Sequence, residues 1–589
     1  MCKLTKEQND FLCATGNIVL HACPGSGKTH VVVRKMMKLI DGWDRPHSGV
    51  AILSFTNVAS DEVESQVKDL MPTGFEIGHP HFVGTLDSFI NNFILLRFGY
   101  LMFETPIRPK LAVNDVYKLP FRYWRKECHA NCVSNIGDFR WDSDDKLYKG
   151  KMLVDCDGGR YGPPCHQYKK MLFNKGIIFQ GEVSDMALKL IKSHPQIATA
   201  IAERFPVIIL DEAQDTSLAQ MAVIDLINKA GTESMFLVGD PDQSIYEWRN
   251  ATPECFIDKM NCHRWQTLTL SANFRSSQNI CNATKIFAKS LDGKAPSEAK
   301  GHDSGNNLKP ILIQYDDSCS DWKNRLTQWF IRLCEDNRIS NEPDKIAIVT
   351  RGRIRSETDI TGLWKSVEIE HLGKAANEWY AGSRKKAYEY CEKALFSMLV
   401  KEHSDIVVDI ETDVEEVMSL DEWKAAVIHI LIKLPETKLA IGTWVAETRR
   451  MLQKELDIIK LSVRSEKALL NTIKIKQSDK KTPRFKEIPI EHIFEKKTMN
   501  QYTMSSIHGV KGESYDALML LVGSKTGKTL TPSFLNNGDT ADELMRLAYV
   551  AMTRPRKVLA VAMPMVKNAN YANRFPIDFW DYKMLPKSI

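Results

Sequence analysis

The run 21-HACPGSGKTH-30 constrains this chain more than any other stretch. Gly25, Ser26 and Gly27 make a small turn whose backbone N–H groups can curl around phosphate oxygens. Lys28 follows to reach the outer phosphates, and Thr29 supplies a hydroxyl for Mg²⁺. Ala22 stands where the pattern usually opens with glycine; Cys23 and Pro24 complete the loop. The flanks fit a phosphate loop. Apolar 17-NIVLHA-22 reads as a buried strand, and 31-VVVRKMMKLI-40 has apolar residues at helical spacing. A strand–loop–helix puts phosphates at a helix N-terminus, where the dipole favours anions. A second glycine-lysine run, 523-GSKTGKT-529, has Val522 in place of a small residue and no apolar helix after it; it is expected to be a basic surface loop.

An apolar run ending in Asp-Glu, 206-PVIILDEAQDTS-217, is the partner a phosphate loop needs for hydrolysis. Asp211 would hold Mg²⁺, largely through water, and Glu212 would orient and deprotonate the attacking water. Four more clusters lie beside expected strands or helices: 236-FLVGDPDQSIYEWRNA-251, 270-LSANFRSS-277, 506-SIHGVKGESYD-516 and 546-RLAYVAMTRPRK-557. Arg275 and Arg554 are suited to phosphate, and an arginine finger must approach the γ-phosphate from elsewhere in the fold.

These clusters together resemble the UvrD/Rep/PcrA group of superfamily 1 DNA helicases, in the group's order from Gln8 to Arg554. The resemblance implies an α/β fold of two RecA-like motor domains with parallel sheets flanked by helices, each carrying a mainly helical insert. It implies ATP and Mg²⁺ as cofactors and 3′-to-5′ movement on single-stranded DNA. Gln8 matches the residue that reads the adenine edge, and Phe274, where the group usually has tyrosine, the ring that stacks on adenine. Lys28 and Thr29 take the phosphate-loop roles, Asp211 and Glu212 the metal and water roles. Gln243 matches the γ-phosphate sensor, Arg275 and Arg554 the γ-phosphate arginines, and Glu513 a ribose contact. Phe55 and Trp248 match aromatics that stack on bases, a sequence-tolerant contact of about 1–3 kcal/mol per base. Thr56, Asn57, Thr85 and His508 match sugar-phosphate contacts. Two departures matter: Asp87 in 84-GTLDSF-89 stands where histidine is common, and Glu513 follows Gly512 directly.

The implied layout is a first motor at 1–100 and 187–264, interrupted by an insert at 101–186. The second motor takes 265–365 and 498–589, around an insert at 366–497. Runs 310-PILIQYDD-317 and 345-KIAIVTRG-352 read as second-motor strands. In the second insert, 402–423 is acidic and expected to be a solvated face. The basic run 473–486 could meet duplex phosphates.

With 589 residues, 43% hydrophobic and 26% charged, the composition is that of a globular chain of several domains rather than a disordered one. Net charge of +5 neither requires nor excludes nucleic acid, because basic residues can line one groove. The N-terminus has no apolar secretory core, and no run approaches a membrane span, so a cytoplasmic location is expected. The chain ends soon after 557-KVLAVAMPMV-566, and no fused nuclease domain is expected. The 13 cysteines are expected as reduced thiols. Cys128, Cys132, Cys156 and Cys165 leave a zinc site as the lesser alternative, their spacings not being a tight knuckle. Cys23, at a helix N-terminus, could have a lowered pKa and a reactive thiol; a small residue tolerated by the loop is the plainer reading.

The partners expected are single-stranded DNA and single-strand/duplex junctions, and no membrane. A different class of function is a DNA-stimulated ATPase that regulates a separately encoded nuclease, as in Gabija-like systems, with little unwinding of its own.

Overall fold

The computed structural model describes residues 4–56, 63, 66, 77–104, 106–112, 137, 139–150, 152–153, 163–247, 250–319, 321–352, 367–399, 414–415, 418–460, 489–494, 498–499, 502–523, 530–566 and 570–586. The chain divides into two units. The first comprises Met1–Ile94, Leu190–Ile354 and Lys497–Ile589; the second comprises Leu95–Lys189 and Arg355–Lys496.

Among the described residues, the first unit holds two large sheets, beside a two-stranded parallel pair, Ala272–Asn273 with Glu298–Ala299. One has six strands: β1 (Asn17–Ala22), β2 (Val50–Ser54), β3 (Phe82–Thr85), β4 (Val207–Leu210), β5 (Ser234–Gly239) and β6 (Gln266–Leu270), in the order β6-β1-β5-β4-β2-β3. All five pairings are parallel. β2, β4 and β5 are buried along their whole length, as β1 is beyond its first residue. That explains why they read as unbroken apolar runs rather than alternating ones. The segment read from sequence as the strand before the phosphate loop is β1, residue for residue.

The other sheet contains β7 (Ile311–Tyr315), β8 (Ile346–Thr350), β9 (Thr498–Met499), β10 (Tyr502–Ser506), β11 (Tyr515–Leu521), β12 (Pro555–Pro564) and β13 (Asp581–Met584). Its order is β9-β10-β8-β11-β12-β7-β13, parallel except for the β9–β10 pair. Both strands expected near 310–317 and 345–352 are present, as β7 and β8. In open parallel sheets, ligands bind beyond the carboxyl ends of the strands, and the segments carrying Lys28, Phe55, Asp211, Gln243 and Arg275 follow strands of the first sheet, whereas Arg554 stands just before β12.

Helix α1 (Lys6–Cys13) starts with a capping box: Thr5 Oγ1 accepts from the Gln8 N–H, and Gln8 Oε1 accepts from the Thr5 N–H. Its far end is held by a lysine of α2 (Lys28–Ile40). Lys35 is buried and donates to the carbonyls of Leu12 at 3.1 Å and Ala14 at 2.6 Å. Its ammonium also sits 4.6 Å from the centre of the Phe236 ring. Burial pushes the Lys35 pKa down to about 8. The lysine thus ties the helix carrying Gln8 to the helix that follows the phosphate loop.

The second unit differs between its two parts. Residues 367–494 are helical where described, with helices Val367–Tyr380, Arg384–Leu399, Leu420–Lys433 and Ile441–Lys460 packed around Trp423 and Trp444. The other insert, expected to be mainly helical, mixes helix with short strands. Alongside helix α3 (Pro163–Asn174) it has an antiparallel group, Phe139–Trp141, Leu147–Lys149 and Met152–Leu153, and a parallel pair, Lys110–Ala112 with Ile177–Phe179. The extended segments converge on a buried ion pair: Lys169 Nζ lies 3.0 Å from Glu182 Oε2, while Glu182 also accepts from the N–H groups of Phe179 and Trp141. A carboxylate held by three donors fixes strand ends that periodicity alone does not mark.

The basic run 473–486, the 524–529 part of the second glycine-lysine run, and Cys128, Cys132 and Cys156 lie outside the described residues. The cysteines with described side chains, from Cys13 to Cys391, are free thiols.

Gly49 enters β2 with its α-carbon against the backbone of Pro80, and a Cβ there would lie 2.1 Å from the Pro80 oxygen. Backbone cannot step aside cheaply, so Gly49→Ala should cost about 1–3 kcal/mol and lower the melting temperature. Gly305→Ala, which meets nothing within 4 Å, should leave it unchanged. Differential scanning calorimetry compares the two.

Candidate active site and adjoining aromatic track

The phosphate loop turns at Gly25 and Gly27, whose φ angles of 72° and 76° are left-handed. Gly27 is the N-cap of α2, with no side-chain cap and no acidic residue in the first turn, so the positive end of the helix is uncompensated. Ser26 Oγ is buried and has no hydrogen-bond partner. An uncapped helix end and an orphaned hydroxyl in one glycine turn suit the oxygens of a phosphate chain. Ala22 and Pro24 are buried beneath the turn, and Thr29 is half-buried in the first turn of α2.

Lys28 pairs with Glu212 and lies 3.5 Å from Asp211 Oδ1. Burial works against its charge, but the two carboxylates outweigh burial and hold the ammonium above its usual range. Glu212 keeps its carboxyl at about 2: burial opposes the charge, and Lys28 and then Lys511 overcome it. Asp211 is pushed up by burial. Asp211 donates its backbone N–H to the Leu53 carbonyl at 2.8 Å, and its Oδ1 accepts from the Glu212 N–H at 2.9 Å. Glu212 itself sits at φ 54°, a left-handed conformation that costs a non-glycine residue about 1–2 kcal/mol.

Beside these groups stand Arg554 of the second sheet, Gln243, which follows β5, and Arg275, which follows β6. Arg554, 3% exposed, donates from Nη2 to Gln243 Oε1 at 2.7 Å. Gln243 Nε2 in turn donates to Asp240 Oδ2 at 2.6 Å. Arg275 Nη1 donates to the carbonyl of Thr553, next to Arg554, at 3.2 Å. The Phe274 N–H donates to the Gly25 carbonyl at 2.7 Å, and a Cβ on Gly25 would lie 2.8 Å from that of Arg275. Lys28, Glu212, Gln243, Arg275 and Arg554 therefore belong to one cluster, fed by both sheets. Gln8 Nε2 donates to the Ser26 carbonyl at 3.3 Å, so the residue expected at the adenine also braces the phosphate loop. Phe274 is half-buried beside that loop.

Several expectations meet a different setting. Cys23 is 6% exposed and packs into the core with Ile245 and Ile280. Burial first, then Asp240, pushes its thiol up to about 12. The reactive-thiolate reading is corrected: the side chain faces the core, and nearby carboxylates oppose a second negative charge. Asp87 accepts from Gln220 Nε2 at 2.8 Å, which gives it a structural partner. Thr85 Oγ1 accepts from the Ser88 N–H at 3.1 Å as a helix N-cap. Glu513 is exposed and enters none of the hydrogen bonds described around Lys28. Asn57 and Trp248 lie outside the described residues. His166 has its ring 4.9 Å from that of Trp141, edge to face.

Phe55, one of the two expected base-stacking positions, belongs to a row of rings. Phe55 lies 5.3 Å from Tyr246, and Tyr246 lies 5.8 Å from His508, all three half-buried. His508 Nε2 is 3.0 Å from the Ile245 carbonyl. Thr56, half-buried beside Phe55, has its carbonyl bound by Ser54 Oγ at 3.0 Å.

Three important residues, Tyr246, Lys511 and Gln214, were missed from sequence. Tyr246 sits between the flagged positions Gln243 and Trp248, and its aromatic ring was the available signal. Lys511, five residues past the end of β10, had no signal of its own. It pairs with Asp215, donates to the Gln243 carbonyl at 2.9 Å and lies 4.6 Å from the Tyr246 ring centre. Gln214, fully buried, donates to Glu212 and accepts from the Asp240 N–H. A continuous polar chain thus runs from Lys28 to the ring row. Burial raises Asp215 and Asp242 to about 6 each. Raised carboxylates bind protons more readily folded than unfolded, so both remove stability as pH rises from about 4 to about 6.

The family comparisons agree with this geometry. Residues 4–115 and 165–263 match the model of the UvrD/REP helicase N-terminal domain, and residues 392–564 that of the UvrD-like helicase C-terminal domain. The ATP-dependent DNA helicase Rep of Buchnera aphidicola (subsp. Acyrthosiphon pisum) is 21% identical over 626 residues, covering 94% of this chain and 93% of that protein. DNA helicase II of Escherichia coli (strain K12) is 27% identical over 305 residues, 49% of this chain and 40% of its own length. The ATP-dependent DNA helicase PcrA of Staphylococcus aureus (strain Mu50) is 24% identical over 311 residues, 50% of this chain and 41% of its own length. The match to these last two therefore spans about two-fifths of each relative. Its sheets are those of two RecA-like motor domains, and with the two family models together matching more than half of it, the chain belongs to the UvrD/Rep/PcrA family of superfamily 1 helicases.

Proposed function

We propose that this chain is an ATP-driven motor on single-stranded DNA that moves 3′ to 5′ and separates strands, its ATP turnover stimulated by DNA. The observation that carries this reading is the single cluster in which Lys28, Asp211 and Glu212 of the first sheet gather with Arg275, which follows β6, and with Arg554 of the second sheet, linked through Lys511 to Tyr246. The polarity is the one that the sequence resemblance implies. DNA repair, recombination or anti-phage defence are the settings that suit such a motor, in the cytoplasm.

The residues divide the work as follows. Ser26, Gly27 and the α2 N-terminus receive phosphate oxygens, and Gln8 and Phe274 hold the base. Thr29 and Asp211 are the residues that would hold Mg²⁺, which would screen phosphate charge. Lys28 exchanges Glu212 for the outer phosphates. While paired, Glu212 is a weak base; once Lys28 turns away, the loss of that charge raises its proton affinity towards what a general base needs. Arg554 and Arg275 neutralise charge on the γ-phosphate, and Gln243, held by Arg554, senses it. Phe55, Tyr246, Trp248 and His508 offer stacking faces and backbone contacts that tolerate any base. No described feature favours a separate nuclease partner over this reading.

Arg554→Ala should cut ATP turnover by a factor on the order of 10³ while sparing nucleotide binding. Glu212→Gln should cost on the order of 10²–10⁴ with ATP affinity retained, measured by single-turnover hydrolysis and fluorescent nucleotide titration. ATPase assays with and without single-stranded DNA, beside unwinding of substrates with either tail polarity, test the activity itself. Turnover indifferent to DNA would refute it, and stimulation without unwinding would favour a regulatory ATPase. Maleimide should inactivate Cys23→Ser and the unaltered chain at the same rate, because the Cys23 thiol is buried and protonated.

A further inference from the structure

One helix of the second sheet grips the turn 243–247 of the first at both ends. This helix is α4 (Glu543–Met552). Just beyond its C-terminus, Arg554 holds Gln243. Within it, Arg546 is 5% exposed and uses all three nitrogens. Its Nε donates to the Ser244 carbonyl at 2.6 Å, its Nη2 pairs with the Glu247 carboxylate, and its Nη1 donates to the Ala541 carbonyl. At the start of α4, Glu543 Oε1 accepts from the Glu247 N–H at 3.1 Å. Burial, then the neighbouring Glu247 carboxylate, raises the Glu543 pKa, and Arg546 offsets part of that repulsion.

The spacing matters. From Arg546 to Met552 the helix rises about 9 Å and does not compress over that length, and Arg554, two residues beyond, is tied back to its last turn by its N–H to the Ala551 carbonyl at 3.1 Å and its Nε to the Val550 carbonyl at 2.9 Å. Any displacement of Arg554 towards a γ-phosphate must therefore carry Arg546 with it. Arg546 cannot move alone without leaving buried acceptors unpaired. Tyr246, on the turn it grips, stands in the row with Phe55 and His508, and Trp248 follows Glu247 in sequence.

We infer that Arg546 is a positioning residue that locks the 243–247 turn to α4, so that closure of Arg554 on the nucleotide is transmitted as movement of the base-stacking segment. This rests on the motor reading above and adds the part that joins its two sites. A lysine cannot serve, since one ammonium on a flexible stem does not reproduce the planar three-way fork.

The test uses the full chain with Arg546→Lys, Glu247→Gln and the double variant. ATP turnover is measured with and without oligo-dT, and hydrogen exchange of residues 243–247 with and without Mg-ADP-aluminium fluoride in the absence of DNA. Arg546→Lys should lose at least about tenfold of the DNA stimulation while the KM for ATP stays within about twofold. The double variant should be no worse than the worse single one. Nucleotide should slow exchange at 244–247 in the unaltered chain and not in Arg546→Lys. A KM that rises in step with lost stimulation, multiplicative single effects, or equal slowing in both proteins would overturn the inference. Slowing without any DNA stimulation in the unaltered chain would sink the motor reading and leave the lock standing. If Arg546→Lys does not fold, Glu543→Gln weakens the acceptor of the Glu247 N–H and should show the same split.

Discussion

Charged side chains of each RecA-like domain find their partners on the other. Lys511 and Arg554 come from the second sheet's loops, yet they end on Asp215, the Gln243 carbonyl and the Gln243 side chain of the first. All are buried or nearly so, where an unpaired charge is expensive. The domains can separate only if these groups find water or phosphate instead. On the proposed function, a triphosphate would supply that alternative for Arg554 and a polynucleotide for Lys511, and either ligand would bias the cleft between two states.

The same site is built against stability. Glu212 occupies a left-handed backbone position, Asp215 and Asp242 are buried with raised proton affinities, and Ser26 Oγ has no partner. Each costs folding free energy, and all lie beyond the carboxyl ends of parallel strands. The strands that present them are sealed on both faces by aliphatic side chains, so the strain is carried by a frame that does not yield. Asp242 illustrates the use made of such groups: its carboxylate accepts from the N–H groups of Lys289 at 2.8 Å and Ser290 at 3.0 Å. It thereby fastens the start of the second domain to the turn that carries Gln243.

Local motifs were legible where chemistry demands fixed residue types in a short span. Lys28, Thr29, Asp211 and Glu212 follow from what a phosphate chain and a metal require, and β1, β7 and β8 follow from buried parallel strands being apolar throughout. For Cys23 the plainer reading, a small residue tolerated by the loop, fits the buried side chain. Its place beside a helix N-terminus suggests a lowered pKa, but the direction of its side chain, into the core beside Asp240, decides otherwise. The strands of the first insert were missed because they are short and held by a buried Lys169–Glu182 pair rather than by a periodic apolar face.

Sequence alone determined the family, the two-sheet architecture and the identity of the phosphate-binding loop, because these rest on contiguous residues and their order. Only the tertiary structure decided which side chains meet across the cleft. Lys511 with Asp215, Arg546 with Glu247 and Glu7 with Ser271 are separated by hundreds of residues, and nothing in their local sequence marks them as pairs. Such contacts arise when parallel sheets place distant strand ends side by side, and where those ends are buried, as at Asp215 and Arg546, an unpaired charge is costly.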